Sequence, residues 1–162
     1  MAGAPRLNAK TLEALGAARL AELLITLSEG DPGARRLLRL ALAEQKGPAE
    51  IAREVRKRLA TIERSGSFLD DDQRDRLLKD LERQRQAISG PIAMHDPAQA
   101  VELFWDLLGL AEGLMDRCDD SDAVVREFFH QSSAAFGAVA LKAPGDARVL
   151  ADQVYAAIVG NG

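Results

Sequence analysis

The chain has 162 residues, 47% of them hydrophobic and 28% charged, and a net charge of -4. That length holds one ordinary core and is short for two independent ones, and the apolar fraction excludes overall disorder. With 28 Ala and 23 Leu against 17 Val, Ile and Thr together, and 4% aromatics, the composition favours helices over a sheet.

Eight helices are predicted in chain order, at about 9–16, 17–29, 32–46, 48–64, 71–89, 97–118, 122–142 and 146–159. Their starts are marked by Asn8, Asp31-Pro32, Gly47-Pro48, Asp96-Pro97, Ser121-Asp122 and Pro144-Gly145-Asp146. A side-chain oxygen accepts from the free N–H groups of a first helical turn, and a proline at the first position sacrifices no hydrogen bond. Only Gly16 separates the first two helices, so one kinked helix is the alternative. Most connections are short, which makes neighbours antiparallel hairpins. An all-α fold follows, either an α-solenoid-like stack (tetratricopeptide- or HEAT-like) or an irregular helical bundle.

Stripe width indicates depth. In 48–64, Ile51, Val55, Leu59 and Ile62 fall within about 80° of one another, the narrow stripe of a surface helix, and Arg58 beside it is expected to snorkel. In 71–89, Leu77, Leu78, Leu81 and Ile88 form a similar stripe, with Asp72–Arg76 and Asp75–Lys79 as expected i,i+4 pairs. Apolar residues wrap most of 97–118, and 122–142 carries Val124, Val125, Phe128, Phe129, Phe136 and Val139 on one broad face. Its back, with Ala134, Gly137 and Ala138, is small enough for a close helix approach. The core is therefore expected on 97–142.

Charge is uneven. Residues 1–90 carry 17 basic and 14 acidic side chains, a balance of +3, whereas 91–162 carry 4 and 11, a balance of -7. The shift coincides with the longer connection 89–96. One helical domain over 1–162 is expected, with 1–90 (basic, peripheral) and 91–162 (acidic, core) as candidate subdomains. The two parts would attract different partners, or each other.

Several clusters invite functional readings. Glu127 and His130 have the Glu-x-x-His spacing of di-iron bundles, but the only other histidine is His95 in a connection, and both side chains project away from the Phe face. Asp116, Asp119, Asp120 and Asp122 lack the calcium-loop glycine and read as helix caps, Ser121 or Asp120 being the cap of the next helix. Cys118 has little to activate it beyond Arg117. No catalytic constellation, cofactor motif or zinc spacing is present, and no metal or cofactor is expected.

Two surfaces remain. Trp105, at the edge of its apolar arc beside Gly109 and Gly113, could anchor a partner in a groove floored by backbone and rimmed by Glu102 and Asp106. Arg35, Arg36, Arg39, Arg53, Arg56 and Lys57 make residues 32–64 locally basic, a face that could meet phosphates. The first surface implies a non-enzymatic scaffold or adaptor for a protein or peptide. The alternative is a nucleic-acid-associated module, and self-association is open to either. With one cysteine, no apolar run of the roughly 20 residues that span a bilayer, and no signal-peptide pattern at the start, a cytoplasmic location is expected.

The opening Leu7-Asn8-Ala9-Lys10-Thr11-Leu12-Glu13-Ala14-Leu15-Gly16 carries a resemblance, continued by Leu20-Ala21-Glu22-Leu23-Leu24 and Asp31-Pro32-Gly33-Ala34-Arg35-Arg36. With Ile51-Ala52-Arg53-Glu54-Val55-Arg56-Lys57-Arg58-Leu59 and Asp119-Asp120-Ser121, it resembles an uncharacterised bacterial all-helical family of unknown function. The first 40 residues also resemble a helical segment of proteins bearing SWIM-type zinc fingers. The chain has no Cys pair, so that resemblance implies neither zinc nor DNA binding. Members of the unknown-function family are often longer, which implies either an N-terminal portion of a larger protein or a short member.

Overall fold

A computed structural model describes residues 6–143 and Gly145. The predicted helix 146–159 and its start at Pro144-Gly145-Asp146 lie outside the described residues. The fold is all-α, and among the described residues the only β pairing is an isolated parallel bridge between Leu69 and Cys118. No helix among them is long and apolar enough to cross a membrane. Contacts divide the chain into Met1–Arg39 and Leu40–Gly162. The division falls inside a helix, not in the 89–96 connection where the charge balance shifts.

In the first unit, α1 (Ala9–Glu13) and α2 (Ala17–Ser28) are packed together, and α3 (Pro32–Glu44) begins. Asn8 Oδ1 accepts from Thr11 N at 3.0 Å while Thr11 Oγ1 accepts from Asn8 N at 3.1 Å, a reciprocal cap of two free donors. Gly16 takes φ +79°, a left-handed value that costs a side-chain-bearing residue dearly, so α1 and α2 are separate helices. Asp31 Oδ1 accepts from Gly33 and Ala34 N at 2.7 and 3.2 Å and starts α3 as expected.

The second unit contains the last turn of α3, α4 (Pro48–Glu63), α5 (Asp71–Ala87), a π-type turn Ile88–Ile92, α6 (Ala93–His95), α7 (Pro97–Leu108), α8 (Ala111–Met115) and α9 (Val124–Ala140). The expected stripe Ile51, Val55, Leu59 and Ile62 is buried throughout, together with Leu103, Phe104 and Leu107 of α7 and Val125, Phe128 and Phe136 of α9. α4 is therefore as deep in the core as α7, and its narrow stripe understates its burial. Phe104 and Phe136 meet edge to face at 6.1 Å, an arrangement that suits the ring quadrupoles.

The connection 89–96 is helical over most of its length. Pro91 lacks an N–H and its ring would strike the carbonyl four residues back, so a regular helix cannot pass through it. The chain widens instead, with Gly90 at φ -95° and ψ -105°, and Ile88 and Ile92 on either side are fully buried. This turn packs against α4, α5, α7 and α9. It sits at the centre of the unit, with Asp96 Oδ1 accepting from Gln99 N at 3.0 Å to start α7 directly after it.

Two other expectations change. The predicted helix 97–118 ends at Gly109, where Leu110 N donates to Leu107 O at 3.2 Å in a tightened turn, and α8 follows. The helix expected from residue 122 starts at Val124 because Ala123 is left-handed, at φ 60°. Ala134 and Ala138 on its back are exposed, and a Cβ at Gly137 would meet nothing within 4 Å among the described residues, so the expected close approach is not seen there.

Candidate functional site

The elements around Trp105 are brought only partly together. Trp105 is half-buried and packs against Phe136 with ring centroids 4.9 Å apart, so its indole is already engaged within the fold. The break after Gly109 puts Gly113 in a different helix, and a Cβ on Gly109 would meet only the carbonyls of its own helix, at 3.3 and 3.6 Å. The two glycines do not share one backbone floor.

The basic face is divided as well. Arg35, Arg36 and Arg39 belong to the first unit, Arg53, Arg56 and Lys57 to the second. Arg35 Nε donates to Ser28 O at 2.9 Å, Arg53 is paired with Glu50, and Arg56 Nη2 lies 3.4 Å from Glu102 Oε2. That last contact joins a member of the basic face to a member of the acidic rim across α4 and α7. The two opposite charges attract each other within one unit. Burial pushes the neighbouring Asp106 carboxyl up, Arg56 opposes this, and Glu63 and Glu102 reinforce it.

The Asp119–Asp122 region is built for structure. Asp120 accepts from Val125 N at 2.8 Å and from Arg126 N at 3.2 Å, capping α9, and also receives Arg126 Nε at 3.1 Å. Burial alone would push its carboxyl up. The two backbone donors and the Arg126 guanidinium overcome that and hold it below the usual carboxylate range. Of the two expected caps, Asp120 is the one used, and Asp119 Oδ1 accepts from Ser121 N at 2.9 Å. Among the described residues no group of three or more His, Cys, Asp or Glu is placed to hold a metal.

Arg74, which the sequence did not single out, organises this region. Its buried guanidinium donates to Asp119 O at 2.7 Å and to Asp122 Oδ2 at 2.9 Å, tying the start of α5 to the turn before α9. Burial disfavours its charge, but Asp75, Asp122 and Asp71 more than compensate, and its pKa is raised. Arg117 acts in parallel at the end of α4, donating to Ser65 O and, at 3.5 Å, to Ile62 O, where a cation complements the helix C-terminus. The sequence signal for both was weak. Each is an arginine flanked by acids, a pattern that exposed surface pairs also show.

A groove opens between α5 and α9, with a volume of about 1020 Å³. Its apolar floor is formed by Leu78, Val124 and Phe128, and its walls by Lys79, Glu82, Arg83 and Gln86 of α5 and Arg126, Glu127, His130 and Gln131 of α9. Arg126, Glu127 and His130 are exposed, as their position opposite the Phe face implied. Arg85 lies 5.7 Å from the Phe128 ring centroid and helps fix that ring. The sequence hid the groove because its two walls are 40 or more residues apart.

The fold is all-α, and its second unit carries an open surface cleft and a buried polar frame. The chain belongs to the Family of unknown function (DUF6880), which it matches over residues 2–162. No curated protein and no solved structure matches it.

Proposed function

We propose that this protein is a non-enzymatic helical scaffold that binds a protein or peptide partner in the groove between α5 and α9. The observation that carries the reading is the groove itself, open and apolar at its floor, between two helices that the Arg74 ion pairs hold in place. A groove between packed helices takes the apolar face of a peptide helix. The buried ionisable groups support a binding role over chemistry, since Arg74 and Asp120 are each committed to holding loops and helix ends. The single cysteine, Cys118, supports residence in a reducing cytoplasm.

Selection of peptides from a random displayed library against the intact chain, followed by calorimetry, tests the proposal. Binders at micromolar affinity that lose binding to Val124→Asp are expected. A library that yields none overturns it. Asp is compatible with the first turn of α9, so the variant should remain folded.

A further inference from the structure

We propose that the α5/α9 groove selects an acidic amphipathic segment, whose carboxylates run along the α5 wall and whose apolar residues sit on Leu78, Val124 and Phe128. This rests on the scaffold reading and adds the chemistry of the occupant. The argument is one of unspent charge. Asp75, the expected i,i+4 partner of Lys79, instead lies 3.2 Å from Arg74. Lys79 is left exposed, and Arg83, one helical turn further on, lies beside it on the same wall. Among the described residues neither has an ion-pair or hydrogen-bond partner, and the same holds for His130 across the groove.

Two acids that line the groove, Glu82 and Asp122, are otherwise occupied. Glu82 pairs with Arg85 at 2.6 Å and accepts from Gln86 Nε2 at 2.8 Å, and Asp122 pairs with Arg74. The remaining groove cation, Arg126, is matched by Asp120. Glu127 is held by Gln131 Nε2 at 2.7 Å but keeps its charge on the α9 wall. The arrangement therefore has a polarity: among the described residues Lys79 and Arg83 are unpaired cations on α5, and Glu127 is a carboxylate without a cation partner on α9. A segment acidic along one edge and apolar beneath satisfies both walls. A polyphosphate backbone, charged on every side, would leave the apolar Leu78, Val124 and Phe128 uncovered, which favours a peptide over a nucleic acid.

The test uses the groove-dependent binders from the library, each made also with every Asp and Glu replaced by its amide, and fluorescence polarisation on the intact chain. The selected peptides are expected to carry net negative charge with apolar residues three or four apart. Amide replacement and Lys79→Glu/Arg83→Glu are each expected to weaken binding at least ~10-fold, as for loss of complementary charge at a contact. Lys57→Glu, outside the groove, should leave binding unchanged, and circular dichroism checks that the variants are folded. Groove-dependent binders that are neutral or basic, or indifferent to the α5 charge reversal, overturn the inference and leave the scaffold reading standing. An absence of binders overturns both. A labelled (dT)20 oligonucleotide bound by the protein and lost in Lys79→Glu/Arg83→Glu would overturn the inference in favour of phosphate recognition.

Discussion

Arg58 Nε of α4 donates to Asp80 Oδ2 of α5 at 2.6 Å, with the two side chains only 17% and 7% exposed. The sequence placed Arg58 beside the apolar stripe, where snorkelling to water was expected. The carboxylate that meets it comes from 22 residues away, and Gln84 Nε2 supports the same carboxylate at 3.3 Å. An Arg that finds a buried anion need not reach solvent, and the pair sets how α4 and α5 face each other.

Breaking that pair should cost more than deleting it. Asp80→Ala leaves a guanidinium shut away from water and is expected to lower unfolding free energy by about 3–5 kcal/mol, whereas Arg58→Met with Asp80→Leu should recover most of the loss. Urea denaturation of Arg58→Met, Asp80→Leu and the double of those two closes a cycle, and losses that simply add in the double would contradict the coupling.

Asp120 should make stability depend on acid pH. Its carboxyl is held below the ordinary value of about 3.9, so the stabilisation is complete above that value and disappears as pH falls through the depressed native pKa. Asp120→Ala is expected to be about 1 kcal/mol less stable at pH 7, through loss of the cap, with the gap to wild type closing below about pH 4. Denaturation midpoints across pH 2.5 to 7 would show it. A gap constant with pH would mean that the carboxylate charge is not what stabilises.

Much of the fold was legible because its signals are local. Asn8, Asp31 and Asp96 cap the helices they precede, and every member of the Ile51–Ile62 stripe is buried. What stayed hidden depends on residues distant in sequence. Pro91 and Gly90 read as a connection between two helices because they break helical periodicity, yet the break turns Ile88 and Ile92 into the core. The groove has the same origin: Lys79 looked paired with Asp75 until Arg74, drawn toward Asp122, took that carboxylate. Trp105 and the basic stretch were conspicuous by composition, but Phe136 and Glu102 already occupy Trp105 and Arg56.

The central turn gives a direct contrast. Ile92→Ala removes a fully buried side chain and is expected to cost about 2–5 kcal/mol, while Met94→Ala, at a residue 88% exposed, should stay within about 0.5 kcal/mol. Subtilisin should spare residues 88–96 in the native protein. Early cleavage there, or equal effects of the two variants, would show that the turn is not part of the core.

Ala123 offers a stabilising change. A non-glycine residue at φ 60° pays a steric cost that glycine does not, so Ala123→Gly is expected to gain up to about 1 kcal/mol. The residue also lines the groove. Thermal unfolding together with the affinity of a groove-dependent peptide separates the two effects, since relief of strain should raise the midpoint and leave the affinity unchanged. A lower midpoint would mean that the left-handed turn is not strained.

Cys118 should be a poor nucleophile in the native state. Burial pushes its thiol up, the Asp120 charge adds to this, and Sγ donates to Leu114 O at 3.1 Å. Reaction requires the thiolate and access to it. At pH 8, labelling of the folded protein by a chromogenic disulfide should therefore be limited by opening of the region around Leu69 and Cys118, where Leu69 N donates to Arg117 O at 2.7 Å. Arg74→Met, which loosens the adjoining turn, should accelerate labelling, whereas Lys57→Glu on the exposed side of α4 should not. Fast labelling of the wild type, at the rate seen in guanidinium, would show that the thiol is accessible and the bridge open.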